Sequence, residues 1–341
     1  MSKSLALTYR PKSWSDVVEQ DSVKSILQNQ LDTGDIKQAY LFVGAAGTGK
    51  TTCARIFANE INHFSGLPIE LDAASNNSVD DVRNLNKMAQ TRSVDGEYKV
   101  FILDEVHMFS AGAWAAMLKL IEEPPAKTIF ILCTTDYWKI PKTILSRCQR
   151  YDFQRISVTG IKARLEAIIA AEGENTAIKY DDEALDFIAR QSDGCLRDAI
   201  TNLDKCIAYG ELTLHNVLEA LRASSIEEYI DLTDCIAHIA NRQEDVITLL
   251  DKVYNSGRDM KQFIKGYIDF VLDINKIHIT NSFTFTHLPE TEELAEWIKS
   301  IYKDTEVGFM LYLLENLIRL DSDIKWSQNP KTVIEARLLT L

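Results

Sequence analysis

The 341-residue sequence predicts an α/β domain with a parallel sheet, followed by an all-α region. Up to about residue 155, apolar runs alternate with helix-like segments, which is typical of a buried parallel sheet with helices on both faces. The first of these runs leads into a glycine-rich turn and then a helix. Beyond residue 155 the strand-like runs stop, and apolar residues recur at helical spacing.

The same pattern divides the chain into three expected domains. These are the α/β domain at residues 1–155, a small bundle of about three helices at residues 156–222, and a larger helical domain at residues 223–341. Residues 307–320 are apolar on nearly every side, which suits burial inside the domain or against another subunit. Residues 280–293 are predicted to form a loop.

The composition is that of an ordinary folded soluble chain, with 46% hydrophobic and 26% charged residues. No apolar stretch approaches the ~20 residues of a membrane helix, and the N-terminal residues become polar too early for a signal peptide. We therefore expect a cytoplasmic protein. Because no Cys-x-x-Cys pair occurs, we interpret the six cysteines as small buried apolar residues rather than metal ligands or disulfide partners.

The net charge of −13 is unevenly distributed along the chain. Residues 1–155 hold 18 basic and 18 acidic side chains, whereas residues 156–341 hold 19 basic and 32 acidic ones. If DNA is a partner, it should therefore contact local basic clusters in the first half, and the acidic half should face away from it.

Residues 44–51 match the phosphate-binding motif G-x-x-x-x-G-K-T, between an apolar strand and a helix. The glycines let backbone N–H groups converge on phosphates at a helix N-terminus. Lys50 would reach the β and γ phosphates, and Thr51 would bind Mg²⁺. The expected nucleotide contacts in this stretch are Gly44, Ala45, Ala46, Gly47, Thr48, Gly49, Lys50, Thr51 and Thr52.

A second apolar strand ends in the adjacent carboxylates Asp104 and Glu105. Asp104 is placed to hold the magnesium ion, directly or through water, and Glu105 to polarise an attacking water. Both are predicted catalytic residues, with Lys50. His107 follows closely, and we interpret it as a helix-start or packing residue.

A third apolar strand ends in Thr134 and Thr135. A hydroxyl at the tip of this strand can bond the γ-phosphate or the attacking water, so Thr135 is also a predicted catalytic residue. Two threonines at a strand end are equally consistent with a structural role. Residues 139–153 then predict a short helix that presents Arg147, followed by another apolar run.

Seven segments together carry a resemblance to a known family. They are, in chain order, "YRPKSWSDVVEQ", "GAAGTGKTT", "DAASNNSVDDVRNL", "FILDEVHMFS", "LIEEPP", "TTDYWKIPKTILSRCQRYDF" and "GCLRDAITNLDKCI". In this order and spacing they resemble the gamma/tau (DnaX) subunits of the bacterial DNA polymerase III clamp loader, which are AAA+ ATPases. The resemblance implies a RecA-like P-loop ATPase domain, a helical lid domain and a C-terminal helical collar that oligomerises. It covers about residues 7–210, whereas residues 223–341 match only in length and helical character.

The resemblance implies further site residues. Arg147, in the motif Ser146-Arg147-Cys148, would reach ATP bound to the neighbouring subunit and stabilise transition-state charge on its γ-phosphate. Arg197 would close the lid over the nucleotide of its own chain. The adenine would pack against a wall formed by Tyr9, Arg10, Pro11, Val17 and Val18.

A mechanical cycle is also implied. ATP and Mg²⁺ would bind between subunits and tighten a spiral of copies of this chain and delta- or delta-prime-like chains, which holds a ring-shaped sliding clamp open. Primer-template DNA would then trigger hydrolysis to ADP and phosphate and so release the clamp onto DNA, as part of the DNA polymerase holoenzyme. Residues 110–114, including Ser110 and Trp114, and the helix that they begin are expected to face the clamp. The alternatives are another AAA+ replication motor or helicase loader, and a largely structural subunit of the same assembly.

A helix near residues 78–91 would follow the template backbone in the resembled family. Its spacing places Arg83 and Lys87 on one helix face. The alternative is a solvated face on which Asp80 pairs with Arg83. The residues expected to contact DNA phosphates are Arg83, Lys87 and Arg92.

The sequence departs from the family pattern at three places. The segment "HFSG" stands where the family usually has a zinc-binding cysteine cluster, so we expect no zinc. Glu19 occupies a position where the family commonly has glycine, at the edge of the expected adenine wall. The chain stops after the expected collar, without polymerase- or helicase-binding extensions, which suits a phage-encoded or shortened form. In the phage case the location would be the host cytoplasm, and no membrane partner is expected.

Overall fold

The computed structural model describes residues 4–91, 96–173, 178–221 and 225–341. The chain divides into two compact units. The first consists of Met1–Ile178 with Ser192–Asp204, and the second of Lys179–Gln191 with Lys205–Leu341. The three-domain division expected from the sequence stays a prediction.

The first unit contains a parallel sheet of five strands in the order β2-β3-β4-β1-β5. The strands are β1 (Ala39–Val43), β2 (Ile69–Asp72), β3 (Lys99–Asp104), β4 (Thr128–Thr134) and β5 (Gln149–Asp152). Every residue of β1 and β4 is buried, which explains why these strands are continuously apolar in the sequence. At the edge strand β2, partly buried residues alternate with exposed ones. The predicted parallel sheet is confirmed.

Helices cover the sheet through two separate apolar clusters, because successive side chains of a strand point to opposite faces. In β1, Leu41 and Val43 belong to one cluster, whereas Tyr40 and Phe42 belong to the other. The helices of this unit are α1 (Leu5–Thr8), α2 (Asp21–Thr33), α3 (Lys50–Ile61), α4 (Val79–Gln90), α5 (Ala111–Glu122), α6 (Lys142–Leu145) and α7 (Val158–Glu172). Short 3₁₀ turns occur at Trp14–Asp16, Val106–Met108 and Tyr137–Lys139.

Serine side chains fix the starts of three of these helices. Ser78 caps α4 by accepting a hydrogen bond from the N–H of Asp81, whose carboxylate accepts from Ser78 in return. Ser110 caps α5 and Ser157 caps α7 in the same position. The loops that enter these helices are therefore held in place locally.

The second unit is helical. Its elements are α8 (Asp182–Gln191), the end of α9 (Leu196–Tyr209), α10 (Leu214–Ala220), α11 (Ser225–Ala237), α12 (Ile239–Asn255), α13 (Met260–Thr280), α14 (Glu292–Asp304), α15 (Phe309–Ile324) and α16 (Pro330–Leu338). The loop predicted at residues 280–293 is confirmed, because it connects α13 to α14. Helix α15 buries one face, and Leu311, Tyr312 and Ile318 on its remaining surface are each at least half exposed.

The predictions about membrane helices and about the cysteines can be compared with the structure. Among the residues that the structure describes, no helix is long and apolar enough to cross a membrane. All six cysteines are free thiols, and five are buried, while Cys148 is half-buried. The interpretation of the cysteines as buried apolar residues is thus confirmed for all but Cys148.

Candidate nucleotide-binding site

A cavity of about 420 Å³ opens in the first unit beside the loop that joins β1 to α3. The carboxyl ends of parallel strands meet at one edge of a sheet, so the residues that follow β1 and β3 converge there. The predicted residues that line the cavity are Tyr9, Arg10, Pro11, Val17, Val18, Ala46, Gly47, Thr48, Gly49, Lys50, Thr51, Thr52, Asp104, Glu105 and Arg197. Gly44 and Ala45 lie in the loop that joins β1 to α3. Thr135 and Arg147 are not among the described residues that line the cavity.

Two glycines give the phosphate loop its shape. Gly47 has a φ of +67° and Gly49 a φ of +100°, and both values favour glycine. A Cβ atom on Gly47 would collide with the Sγ of Cys195, which packs directly against the loop. Gly49 immediately precedes α3, whose first residue is Lys50. The loop therefore aims the N-terminus of a twelve-residue helix at the cavity.

Lys50 is buried at 5% exposure, and its ammonium group is held by the loop itself. Its Nζ donates hydrogen bonds to the carbonyl oxygens of Gly44 at 2.9 Å and Ala45 at 2.8 Å. Burial lowers the pKa of Lys50, while the nearby Asp104 and Glu105 carboxylates act in the opposite direction. A phosphate would offer this buried cation a stronger, charge-assisted partner than two neutral carbonyls do.

The two predicted magnesium ligands lie together. The hydroxyl of Thr51 donates to Asp104 Oδ2 at 2.7 Å, and Asp104 Oδ1 accepts the N–H of Glu105 at 3.0 Å. Within the described ranges, no group of three or more His, Cys, Asp or Glu side chains could hold a metal ion. Mg²⁺ does not need such a group of side chains, because proteins usually hold it through one or two carboxylates together with substrate phosphates. Thr51 and Asp104 therefore fit a nucleotide-bound Mg²⁺.

Glu105 is held in a hydrogen-bond network that the sequence did not reveal. Its backbone is left-handed, with φ 49° and ψ 42°. Its Oε2 accepts a hydrogen bond from the Thr135 hydroxyl at 3.0 Å and lies 3.2 Å from His107 Nδ1. His107 Nδ1 is also 3.2 Å from the hydroxyl of Thr134. Thr135 thus contacts the predicted base, and His107 does more than pack.

The five residues of the expected adenine wall line the cavity together, and their role toward adenine stays a prediction. Arg10 Nε donates to the Thr52 hydroxyl at 3.2 Å, and burial lowers the pKa of Arg10. The carbonyl of Tyr9 accepts a hydrogen bond from Arg164 at 2.9 Å, and the Tyr9 hydroxyl donates to Glu172 at 2.6 Å. Residues of α7 therefore hold the N-terminal segment in place.

Arg164 and Gln20 are supporting residues that were not predicted from the sequence. Gln20 is buried, and its side-chain amide donates to the carbonyls of Thr48 at 3.4 Å and Gln154 at 2.7 Å. Its place in the quoted segment "YRPKSWSDVVEQ" was the available signal. The adjacent Glu19 has a φ of 54°, a conformation that glycine adopts most easily, and its carboxylate accepts hydrogen bonds from Ser157.

Two predicted arginines lie in different surroundings. Arg197, in the first turn of α9, lines the cavity of its own chain. Arg147 is absent from the described residues that line the cavity and instead pairs with Glu122 Oε1 at 2.6 Å. Its Nη1 also donates to the carbonyl of Thr143 at 2.8 Å. The Arg147 side chain as a whole is 39% exposed.

The predicted nucleic-acid residues are only partly described. Arg83 and Lys87 are exposed on α4, and Arg83 pairs with Asp80 at 2.9 Å, as the alternative interpretation expected. Arg92 lies outside the residues that the structure describes. The side chain of Trp114 is buried edge-on against Phe109, so Trp114 itself does not face a clamp. The expectation that the loop at residues 110–114 and the helix it begins face the clamp stays a prediction.

Two family models match consecutive stretches of the chain. A family model described as the delta subunit of DNA polymerase III matches residues 62–157. A second, described as the ATPase lid domain of the DNA polymerase III clamp loader subunit, matches residues 160–212. The solved structure of the Thermotoga maritima RuvB Holliday junction branch migration motor is similar with a TM-score of 0.52 and 19% identity, over 68% of this chain and 80% of that one. This likeness shows the AAA+ P-loop fold that the sequence predicted.

Curated relatives align along nearly the whole chain. DNA polymerase III subunit tau of Bacillus subtilis (strain 168) is 31% identical over 99% of this chain and 63% of its own length. Subunit gamma of Buchnera aphidicola subsp. Acyrthosiphon pisum is 28% identical over 98% of this chain and 97% of its own length. The chain spans only 54% of the Salmonella typhimurium tau subunit and 42% of the Escherichia coli one. With its phosphate loop and carboxylate pair in place, the chain is similar along nearly its whole length to the gamma and tau subunits of DNA polymerase III, and its residues 160–212 match the lid domain of the clamp-loader subunit.

Proposed function

We propose that this protein is an ATPase subunit of a sliding-clamp loader. It binds ATP with Mg²⁺ at the seam between two subunits and couples hydrolysis to opening of a ring-shaped clamp and its release onto primer-template DNA. One observation carries the ATPase assignment. The cavity brings together a buried lysine, a hydroxyl–carboxylate pair and an adjacent glutamate, namely Lys50, Thr51, Asp104 and Glu105.

Each of these residues has a role in phosphoryl transfer. The loop N–H groups and Lys50 bind the β and γ phosphates, and Thr51 and Asp104 would hold a magnesium ion, which would neutralise phosphate charge. Glu105 accepts a proton from water as the water oxygen bonds to the γ-phosphorus. The bond between that phosphorus and the bridging oxygen breaks, so ADP and inorganic phosphate leave. Thr135 orients the carboxylate of Glu105.

The proposed site is completed by a second chain. Arg147 pairs with Glu122 of its own chain and stays partly exposed, which supports delivery of its guanidinium to a neighbour's γ-phosphate. Arg197 acts within its own chain, because it lines the cavity. A pocket shared in this way links nucleotide state to the geometry of a spiral of copies and delta-like chains.

The proposed partners outside the assembly are the clamp and DNA, in the cytoplasm. Arg83, Lys87 and Arg92 would follow the DNA phosphates without reading sequence, so this binding should weaken steeply with salt. Arg83 would exchange its contact with Asp80 for a phosphate. The short segment at residues 63–66 contains no cysteine, so we still expect the protein to need no zinc.

Steady-state ATP hydrolysis tests this function most simply. The chain is assembled with the clamp-loader proteins of its source, and turnover is measured with and without clamp and primed DNA. We expect the clamp–DNA pair to stimulate turnover, and Glu105→Gln to lower it by about 10² to 10⁴ while ATP binding is retained. Glu123→Gln, at an exposed glutamate at the end of α5, is the matched control and should leave turnover unchanged.

Two outcomes would contradict the proposal in different ways. If clamp and primed DNA together gave no stimulation, clamp loading would be excluded and another AAA+ motor favoured. If the assembled wild-type chain hydrolysed no ATP, the protein would be a structural subunit.

A further inference from the structure

The histidine beside the proposed base makes contacts that packing alone does not require. His107 lies in the 3₁₀ turn Val106–Met108 with a side chain only 12% exposed. Its Nδ1 atom is equally close, at 3.2 Å, to Glu105 Oε2 and to the hydroxyl of Thr134. One ring nitrogen thus links the carboxylate that follows β3 to the last residue of β4.

The surroundings of Nδ1 indicate where the imidazole carries its proton. A bare Nδ1 would place its lone pair 3.2 Å from a carboxylate oxygen, which is repulsive. With the proton on Nδ1, the ring donates toward Glu105 instead. Thr134 is fully buried and its hydroxyl accepts the N–H of Asp136 at 3.0 Å, so the oxygen beside the ring is itself fixed. We infer that Nδ1 carries the proton.

This contact has a consequence for the carboxylate. Glu105 lines the same cavity as the cationic Lys50, and the two side chains attract each other. A carboxylate drawn to Lys50 would neutralise the cation that the phosphates need and would leave the place where water is activated. The hydrogen bond from the Thr135 hydroxyl holds Oε2 on the β4 side, where His107 Nδ1 lies 3.2 Å from the same oxygen. Lys50 then bonds to the carbonyls of Gly44 and Ala45.

We propose that His107 is a positioning residue of the ATPase reaction, which acts through its Nδ1–H by fixing the carboxylate of Glu105 beside the γ-phosphate site. Thr134 orients the ring. The inference rests on the proposed function, because it takes Glu105 as the base. It assigns no proton transfer to the histidine itself.

Kinetics of the assembled complex test this role with three substitutions of one residue. His107→Ala should lower kcat by about tenfold or more, while KM for ATP and the affinity for a fluorescent ATP analogue stay within about twofold of wild type. His107→Asn should restore most of kcat, because its amide N–H can occupy the position of Nδ1–H. His107→Gln places its amide nearer the position of Nε2 and should not restore it.

Two further variants separate positioning from folding. Thr134→Val keeps the shape of the side chain but removes the hydroxyl, and should lower kcat less than His107→Ala does. In the Glu105→Gln background, His107→Ala should change kcat no further, because the residue acts only through that carboxylate. His215→Ala, at an exposed histidine of α10, is the control and should match wild type.

The inference would be overturned if His107→Ala kept wild-type kcat, if Asn and Gln at position 107 behaved alike, or if the loss persisted in the Glu105→Gln background. These outcomes leave the ATPase assignment standing. By contrast, a Glu105→Gln variant that hydrolyses ATP at the wild-type rate would overturn the proposed role of Glu105 and this inference with it.

Discussion

The hydroxyl of Thr51 donates a hydrogen bond to Asp104 Oδ2 at 2.7 Å, which joins the first turn of α3 to the last residue of β3. This contact places the two proposed magnesium ligands side by side. The contact requires β1, which precedes the phosphate loop, and β3, which ends in Asp104, to lie in one sheet with β4 between them.

Thr51→Val and Asp104→Asn should each weaken binding of ATP in the presence of Mg²⁺ by at least about tenfold, equivalent to about 1.4 kcal/mol. The reason is the loss of one oxygen ligand or of its charge. A fluorescent ATP analogue titrated with Mg²⁺ or with EDTA measures the effect, and Thr51→Ser is the conservative control. An equally large loss in EDTA would show that these residues act on the protein fold or on ATP itself.

Gly47→Ala should destabilise the protein and abolish tight nucleotide binding. A left-handed alanine costs about 1 kcal/mol, and at Gly47 the added Cβ also meets the Sγ of Cys195. Gly34→Ala is the matched control, because its φ of +70° is similar but nothing lies within 4 Å of the added Cβ. Urea unfolding of both variants separates backbone strain from the collision.

The collision is tested further by removing its second partner. The double variant Gly47→Ala with Cys195→Ala should recover part of the lost stability and ATP affinity, because the sulfur is gone. If the double variant were no better than the sum of the two single changes, Cys195 would not be the group that limits this position.

Native thiols should react slowly with Ellman's reagent at pH 8. Burial raises the pKa of all six cysteine thiols, to about 12 for Cys53 and Cys148 and to about 11 for Cys206. The thiolate fraction is therefore very small, and the half-buried Cys148 should react first. In denaturant all six should react quickly. Rapid reaction of two or more thiols in the native protein would contradict this burial.

The same shifts give a direction for stability at high pH. Thiols of the unfolded chain ionise before the buried ones, so the folded state binds more protons as the pH rises through the ordinary thiol pKa of 9.0. The free energy of unfolding should therefore fall between pH 9 and pH 11. Cys206→Ser, at a thiol whose pKa is raised to about 11, should reduce this fall less than Cys53→Ser, at a thiol whose pKa is raised to about 12.

The sequence predicted those parts of the structure that depend on local pattern. The strands before Lys50 and Asp104 are buried on both faces and therefore continuously apolar, and the glycines of residues 44–49 have a recognisable spacing. Contacts between distant residues left no such signal. The link from Glu105 to His107 and Thr135 depends on a left-handed backbone and on the order of two strands.

Burial of single side chains was also beyond the sequence. Trp114 and the exposed residues of α15 are all apolar residues in apolar helices, and only the packing of neighbouring elements decides which of them face solvent. For the same reason the ion pair of Arg147 with Glu122 could not be foreseen, since the two residues come from separate helical segments.

In the proposed assembly, ATP is contacted by Lys50 of one chain and by Arg147 of another. Lys50→Ala and Arg147→Ala chains, each assembled alone, should both lose nearly all ATP hydrolysis. Glu122→Gln is the control for the broken ion pair and should keep most of the activity, because the guanidinium remains.

Mixing the two inactive chains before assembly is the most direct measurement. A Lys50→Ala chain still carries Arg147 and can complete the intact loop of an Arg147→Ala neighbour, so random mixing should restore roughly a quarter of wild-type turnover through such head-to-tail interfaces. Full loss of turnover in the mixture, or wild-type turnover by Arg147→Ala alone, would contradict a pocket shared between subunits.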